Sequence, residues 1–285
     1  MDLRKYNLSH TQIQSLLGDG CYQPFIFSND FMAGICYSWL TGDLIIAMDR
    51  TNDIAYQWTA PNNPLKPIRS YINNKNWDLF VDCNRRLGKM YDDWINYAMK
   101  MMDNSSNFSV IDTAANAGYF LYRFKENGAG KCVGYDLLNF SKEYNILNSL
   151  TGFDVEFIHR PYDMVAHTIR DSHSADIVIS SAIMCHLSDP LHYLKFLATI
   201  TKKVLILFTS VDDTETYHIV YDGAKKFNPD AQFPNCFDQN TRISKGLLFF
   251  GLRESGFSKI IEIPYNDSWI PLANYKKFKT IIAVK

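Results

Sequence analysis

The feature that most constrains the fold is a segment in which two apolar runs each end in an acidic residue. The first run, residues 108–112, ends at Asp112 and is followed by a turn of small residues and an amphipathic helical pattern. The second run ends at Asp136, about twenty residues after that turn. This order of strand, turn, helix, strand and acid is typical of open α/β sheets that hold a nucleoside, because backbone approaches the ligand at the turn and the acid accepts hydrogen bonds from the ribose. The sequence therefore predicts a nucleoside site on an α/β sheet.

The glycine content of the turn narrows the class of nucleoside. A dinucleotide site uses the pattern Gly-x-Gly-x-x-Gly, in which backbone amides meet a pyrophosphate. Residues 113–119 contain a single glycine, Gly118. The turn therefore favours a ligand without phosphates.

The same residues resemble a known family. Residues 110–118 read Val-Ile-Asp-Thr-Ala-Ala-Asn-Ala-Gly, which is similar to motif I of the class I methyltransferases that depend on S-adenosyl-L-methionine (SAM). That motif reads roughly Val-Leu-Asp-Leu-Gly-Cys-Asn-Thr-Gly, so Ala114 replaces the usual first glycine and Ala115 replaces a frequent Cys or Ser. A left-handed backbone at Ala114 would cost about 1 kcal/mol. A weakened or lost cofactor site is therefore an alternative that the turn leaves open.

Apolar runs and helical patterns alternate from residue 107 onward. Strands are predicted at 108–112, 132–136, 155–158, 176–180, 203–208, 259–263 and 279–284. Helices are predicted at 118–126, 141–150, 190–200 and 243–255, the third starting at Asp189-Pro190 and the fourth ending at Gly256. The resemblance implies an α/β fold with a seven-stranded, mostly parallel Rossmann-like sheet, helices on both faces and an antiparallel last strand. We assign residues 106–285 to a SAM-binding domain, with 210–245 as a substrate-binding insertion.

Residues 1–105 are predicted to form an N-terminal helical or mixed extension that contributes to the substrate pocket as a lid. Residues 25–27 and 35–40 are read as short strands or buried segments. Residues 77–102 predict a helix, because apolar residues recur there at three-to-four spacing. Its predicted apolar face comprises Leu79, Cys83, Leu87, Met90, Trp94, Ala98 and Met101. A plain core helix is favoured over a mobile lid for this segment.

The resemblance also implies a set of cofactor contacts. The methionine part of SAM would lie against the turn, the ribose against Asp136, and the adenine against apolar and acidic residues that follow the second and third strands. The cofactor residues implied in this way are Asp112, Ala114, Asn116, Gly118, Asp136, Leu137, Asp163 and Ser181. Four of these have simpler alternatives. Asp112 could cap its own loop, and Asp136 could be a surface acid that closes its strand. Leu137 could be core, and Asp163 could be an ordinary turn acid.

Residues 180–190 resemble the segment after the fourth strand of many small-molecule and tRNA-wobble methyltransferases. Ligands bind outside the carboxyl ends of the strands in this fold, so His186 is placed to meet the substrate. Histidine titrates near neutral pH and is a candidate general base, with a structural role as the alternative. Candidate substrate contacts in the following insertion are Tyr217, Tyr221, Phe237 and Arg242. The acids around Asp212 are read as a solvated loop rather than a metal site.

Composition limits the remaining choices. The chain has 285 residues, a net charge of −1 and six cysteines without CxxC spacing. This composition gives little support to a zinc site or to strong non-specific nucleic-acid binding. No apolar run approaches the length of a membrane span, and a cytoplasmic protein with reduced thiols is expected. A homodimer is left open.

The function that follows is a SAM-dependent methyltransferase that releases S-adenosyl-L-homocysteine (SAH) and acts on a small polar molecule at an oxygen. Sugars, glycans and natural-product intermediates are the expected acceptors. One alternative is an RNA (tRNA)-modifying alkyltransferase, which predicts a basic stripe, for which the sequence offers Arg85-Arg86 and Lys225-Lys226. The other is a catalytically retired SAM-binding domain that serves as a partner in a complex.

Overall fold

The computed structural model describes residues 1–18, 21–37, 44–58, 66–103, 105–159, 173–187, 189–222, 240–269 and 277–285. Within these residues the chain forms two β-sheets and six α-helices. None of the helices in the described ranges is long and apolar enough to cross a membrane.

The first part of the chain contains a four-stranded antiparallel sheet. Helix α1 (His10–Leu17) precedes it and begins with a capping box between Ser9 and Gln12. The strands pair in chain order and are β1 (Phe31–Tyr37), β2 (Leu44–Asp49), β3 (Ile54–Trp58) and β4 (Lys66–Arg69). The strand predicted at 35–40 overlaps β1, while residues 38–40 lie outside the described part. Of the two readings of residues 25–27, the buried segment is confirmed: Phe25 and Phe27 are buried, while Ile26 forms only isolated bridges with Asp2 and Met32.

A long helix, α2 (Asn74–Met101), connects the two sheets and packs against β1. Its apolar face is buried, with Phe80, Trp94 and Ala98 at 0% exposure. This burial agrees with a core helix. The predicted face was wrong at Leu79, which is 38% exposed, because Phe80 takes the inward position on that turn.

The second sheet has five parallel strands at its centre. These are β5 (Ser109–Asp112), β6 (Lys131–Asp136), β7 (Val155–His159), β8 (Ala175–Ser181) and β9 (Thr201–Asp212). They lie in the order β7-β6-β5-β8-β9. The chain therefore runs outward from β5 in one direction and returns to its other side with β8. Open α/β sheets bind ligands at the carboxyl ends of the strands where the order reverses, which here are β5 and β8.

Four further strands complete this sheet. They are β10 (Ile219–Asp222), β11 (Asn240–Ser244), β12 (Lys259–Ile263) and β13 (Phe278–Val284). β13 is antiparallel to β9 and pairs with β12, as the resemblance implies. The α/β prediction is confirmed, but the strand count was wrong: within the described residues the sheet has nine strands rather than seven, because β10 and β11 extend it from Val211 and Asp212.

Four helices cover the second sheet, close to their predicted positions. They are α3 (Tyr119–Glu126), α4 (Ser141–Thr151), α5 (Pro190–Ile200) and α6 (Lys245–Glu254). Asp189 caps α5 by accepting a hydrogen bond from the amide of His192, and Gly256 follows α6 in the left-handed conformation.

Alternate residues of the central strands enter two hydrophobic clusters. Val204 and Ile206 of β9 join the cluster that includes α2, α3, α4 and the N-terminal sheet, while Leu205 and Leu207 join the cluster with α5 and α6. Neighbouring residues of a strand point to opposite faces, so the sheet is buried on both sides. The N-terminal region thus shares one core with one face of the second sheet. The predicted domain boundary at residues 105–106 stays a prediction.

Candidate active site

The turn between β5 and α3 takes its shape from two left-handed residues. Asn116 has a φ of 48° and Gly118 a φ of 85°. Ala114 is not among the residues with positive φ, and its amide donates to Asp112 Oδ1 at 3.2 Å. The alanine that replaces the usual glycine therefore carries no left-handed strain.

Gly118 and Gly134 allow the turn to lie against Tyr144 of α4. A Cβ at Gly118 would lie 2.8 Å from the Tyr144 ring, and one at Gly134 would lie 2.5 Å from the Tyr144 hydroxyl. Real Cβ atoms do not approach other atoms so closely, so both positions require glycine. The glycines serve the packing behind the turn.

Two carboxylates lie at the carboxyl ends of β5 and β6. Asp112 is 1% exposed, and no residue in the described ranges donates to its Oδ2. Burial, together with the charge of the nearby Asp136, raises the pKa of Asp112 to about 7, although the amide of Ala114 opposes the rise. A buried carboxylate oxygen without a donor is costly, so this position suits a cationic partner.

Asp136 ties the end of β6 to the turn. Its Oδ2 accepts from the amide of Asn116 at 2.8 Å, and its Oδ1 accepts from the amide of Leu138 at 2.9 Å. Burial raises the pKa of Asp136, whereas these amides oppose the rise. Each carboxylate oxygen can accept a second hydrogen bond, so Asp136 retains capacity for hydroxyl donors.

The residues next to Asp136 form an apolar wall. Leu137 is partly buried and packs, like Ala114, against the cluster that contains α5 and α6. His159, at the end of β7, donates from Nε2 to the carbonyl of Leu137 at 2.8 Å. The predicted adenine contact Asp163 lies outside the described residues.

The chain leaves β8, on the other side of β5, through a strained turn. Ser181 ends the strand, and Ala182 has a φ of 58°, a left-handed conformation that L-residues other than Gly, Asn and Asp seldom adopt. The amide of Ala182 donates to the carbonyl of Phe208 at 2.8 Å. A 3-10 turn, Met184–His186, follows. Burial lowers the pKa of His186, which favours the neutral imidazole at pH 7.

Only part of the predicted substrate set meets this turn. β11, which carries Arg242, packs against Met184–His186. Tyr221 lies on the neighbouring β10, and its pKa is raised by burial and then by the charge of Asp189 at the start of α5. Tyr217 instead is 60% exposed and contacts the Phe250 ring of α6 at 5.2 Å. Phe237 lies outside the described residues.

The acidic loop after β9 is largely paired. His218 Nε2 lies 2.6 Å from Asp212 Oδ2, and Asp213 lies within 4 Å of Lys245 and Lys279. In the part of the chain that the structure describes, no group of three or more His, Cys, Asp or Glu residues could hold a metal ion.

Two residues near the turn, Gln23 and Tyr22, were not predicted from the sequence. The buried Gln23 donates from Nε2 to the carbonyl of Ala115 at 3.0 Å and accepts from the amide of Tyr119 at 2.8 Å. Burial raises the pKa of the adjacent Tyr22, and the charges of Asp136 and Asp112 contribute to that rise. No periodicity or motif marks these residues, because their partners lie far along the sequence.

Comparisons with known proteins agree with this arrangement. A family model described as a methyltransferase domain matches residues 83–241. No curated protein matches the chain. Magnesium protoporphyrin IX methyltransferase (ChlM) from Synechocystis PCC 6803, solved with bound SAH, superposes with a TM-score of 0.50 at 13% identity, over 76% of this chain and 90% of that one.

An O-methyltransferase family protein from Burkholderia thailandensis superposes with a TM-score of 0.48 at 16% identity, over 73% of this chain and 59% of that one. Similarity at these identities shows the fold alone, and the family rests on the match over residues 83–241. The chain belongs to the methyltransferase-domain family and is a Rossmann-like, SAM-dependent methyltransferase.

Proposed function

We propose that the turn after β5 and the ends of β6 and β8 bind SAM, and that the protein methylates a small polar acceptor at an oxygen. The observation that carries the proposal is the buried Asp112, whose Oδ2 receives no hydrogen bond from the described residues. A cationic group that donates a hydrogen bond satisfies such an oxygen. The methionine part of SAM carries such a group, its ammonium. The phosphate of a nucleotide would instead be repelled by the Asp112 carboxylate.

The remaining cofactor groups have matching partners in this chain. Asp136 would accept from the ribose hydroxyls, since its two oxygens are held by the amides of Asn116 and Leu138 and each can accept once more. Leu137 would face the adenine, with its backbone fixed by His159. Asp163 is retained as the expected contact to the adenine amino group.

When bound, SAM supplies a methyl group on a sulfonium, which is already activated for in-line displacement. The protein has mainly to align the acceptor and exclude water. His186 lies in the turn after β8, at the strand ends where ligands bind in this fold. Its lowered pKa favours the neutral imidazole, which can accept a proton from a hydroxyl group. Arg242 and Tyr221 flank that turn and are proposed to hold the acceptor.

The charges of α2 favour a small acceptor over RNA. The RNA alternative needs a basic stripe beside the site. Arg85 and Arg86 both pair with Asp82, and Arg86 also donates to the carbonyls of Asp267 and Trp269. These arginines are thus engaged within the molecule. Lys225 and Lys226 lie outside the described residues.

The geometry of the turn favours a working cofactor site over a retired one. The alternative of a retired domain arose from Ala114, but left-handed conformations are found at Asn116 and Gly118. Alanine therefore keeps the turn without strain at that position.

The test combines binding with methyl transfer. Calorimetry should show that the wild-type protein binds SAH and that Asp112→Asn binds it more weakly. Isotope-labelled SAM should pass its methyl group to a small-metabolite extract, whereas bulk tRNA should remain unlabelled. His186→Asn should bind SAH normally and transfer more slowly. Failure to bind SAH, or transfer only to tRNA, would overturn the proposal.

A further inference from the structure

The segment before β1 contacts the turn between β5 and α3, where the cofactor is proposed to bind. Gln23 is 4% exposed, and both ends of its side-chain amide bond to backbone of the turn. Its Nε2 donates to the carbonyl of Ala115 at 3.0 Å, and its Oε1 accepts from the amide of Tyr119 at 2.8 Å. The amide therefore spans the turn from one side to the other.

Gln23 bonds two backbone groups, the amide of Tyr119 and the carbonyl of Ala115, to which no side chain of the turn bonds. Helix α3 begins after Gly118, which has no side chain to cap it, and Tyr119 carries the first amide of the helix. The first amides of a helix have no partner within the helix, so a capping acceptor stabilises them. Gln23 supplies that acceptor from a remote part of the chain. The carbonyl of Ala115, which also accepts from the amide of Gly118 at 2.8 Å, has both lone pairs engaged.

Gln23 and Asp136 hold the turn from two directions. Asp136 accepts from the amide of Asn116, which lies between the two residues that Gln23 bonds. A displacement of the turn would therefore break contacts to Gln23 and would shift an amide that fixes Asp136. The position of the proposed ribose carboxylate is coupled to the N-terminal region in this way.

The segment that carries Gln23 is itself firmly held. The amide of Cys21 donates to the carbonyl of Leu17 at 2.8 Å, and the carbonyl of Phe25 accepts from the amide of Ala33 at 2.8 Å. The Phe25 ring packs edge-on against the Tyr119 ring at 6.0 Å. Gln23 thus projects from an ordered support that contacts both α1 and β1.

We propose that Gln23 is a positioning residue of the cofactor site, and that the N-terminal extension is needed for SAM and SAH affinity because Gln23 fixes the turn. This inference rests on the proposed function of that turn. It assigns to the extension a role at the cofactor, in addition to the substrate pocket expected from the sequence.

The variants Gln23→Glu and Gln23→Met separate positioning from folding. Gln23→Glu keeps the acceptor for the Tyr119 amide but removes the donor to Ala115 and adds a negative charge near Asp112 and Asp136. Gln23→Met keeps much of the volume and removes both bonds. Gln12→Glu is the matched control, because Gln12 lies in the same extension, is exposed, and can keep its capping role as a glutamate.

The measurements are the SAH dissociation constant by calorimetry and the melting temperature with and without SAH. We expect both Gln23 variants to bind SAH at least tenfold more weakly than wild type while keeping a cooperative melting transition, and Gln12→Glu to bind within twofold of wild type. Folded Gln23 variants that are less stable yet bind SAH within twofold of wild type would show a structural role only and overturn the inference. Absence of SAH binding by wild type and Gln12→Glu would instead overturn the cofactor assignment, and this inference with it.

Discussion

The two sheets of the molecule differ in how their strands are paired and connected. Strands β1–β4 pair antiparallel in chain order, whereas β5–β9 are parallel and are connected mainly through helices. Helices and the N-terminal region cover the two faces of the parallel sheet, although its edge strand β7 is only partly buried, and the order of the strands reverses at β5. The antiparallel sheet has no such reversal. Its region reaches the turn after β5 through Gln23, in the segment that precedes the antiparallel sheet. The parallel sheet therefore supplies the candidate site, and Gln23 of the N-terminal region forms hydrogen bonds with its turn.

The largest expected effect compares one glycine in each sheet. A Cβ at Gly134 in β6 would lie 2.5 Å from the Tyr144 hydroxyl and 2.9 Å from the Ala115 Cβ, whereas one at Gly34 in β1 would meet Asn84 Nδ2 at 3.2 Å. Gly134→Ala should lower the free energy of unfolding by about 3 kcal/mol through overpacking, and Gly34→Ala by about 1 kcal/mol or less. Urea denaturation measures both. Equal losses would contradict the tighter packing behind the turn.

The next effect concerns Asp136, the proposed ribose contact. Asp136→Ala should weaken SAH binding by about 1–3 kcal/mol through lost hydrogen bonds. Asp30→Ala in the N-terminal region, where Asp30 is exposed, is the matched control and should leave the affinity unchanged. Calorimetry on folded proteins decides. An unchanged affinity for Asp136→Ala would remove Asp136 from the site.

A smaller effect is the pH dependence of binding that Asp112 confers. Its pKa in the folded protein is raised to about 7, so part of the population carries a proton near neutral pH. A cationic ligand binds the ionised form, and the affinity for SAH should therefore fall by up to about tenfold per pH unit below that pKa. The nearby Asp136, whose pKa is also raised, adds to the same trend. Titration calorimetry from about pH 5.5 to about pH 8, a range that brackets the raised pKa of Asp112, tests this pH dependence.

The stability of the ligand-free protein should change in the opposite sense. A carboxyl with a raised pKa contributes stability that is fully present below its ordinary pKa of 3.8 and is lost as the pH rises through about 7. Asp112→Asn should flatten both pH profiles. Profiles that match wild type in this variant would show that another group titrates.

The smallest effect compares two left-handed residues. Ala182 lies after β8 with a φ of 58°, and Ser70 lies after β4 with a φ of 57°. Glycine at either position should raise the free energy of unfolding by about 0.5 kcal/mol, because relief of strain exceeds the added entropy of the unfolded chain. Ala182→Gly alone should slow methyl transfer, since it loosens the turn that leads to His186. Equal turnover in both variants would show that the left-handed conformation of Ala182 does not affect methyl transfer.

The contrast between the sheets also explains what could be predicted from sequence. Strands buried on both faces read as continuous apolar runs, so β8 and β9 and the helices between strands were located closely. β1 and β2 are also buried apolar runs, but runs this short cannot be told from buried helical segments by pattern alone, so the sequence did not define the antiparallel sheet. Likewise, β10 and β11 join the sheet through only Val211 and Asp212, a contact that local pattern does not encode.

The candidate site divides in the same way. Asp112, Asn116, Gly118 and Asp136 were predicted because they lie within one strand-turn-helix-strand unit, and the structure brings them together. Tyr217 was placed in the site from its position in the insertion, but its ring contacts Phe250. Gln23 could not be predicted, because its partners are 92 and 96 residues away.

That separation also affects how the protein is made. Gln23 leaves the ribosome well before Ala115 and Tyr119, the residues 92 and 96 positions further along that it bonds. At ordinary rates of translation the interval is about 5 to 20 s. During that time the side-chain amide of Gln23 cannot form its two hydrogen bonds, because Ala115 and Tyr119 have not yet been synthesised. The hydrogen bonds of Gln23 must therefore await the Rossmann-like unit. On the proposed role of Gln23, newly made chains would bind the cofactor only after both regions have docked.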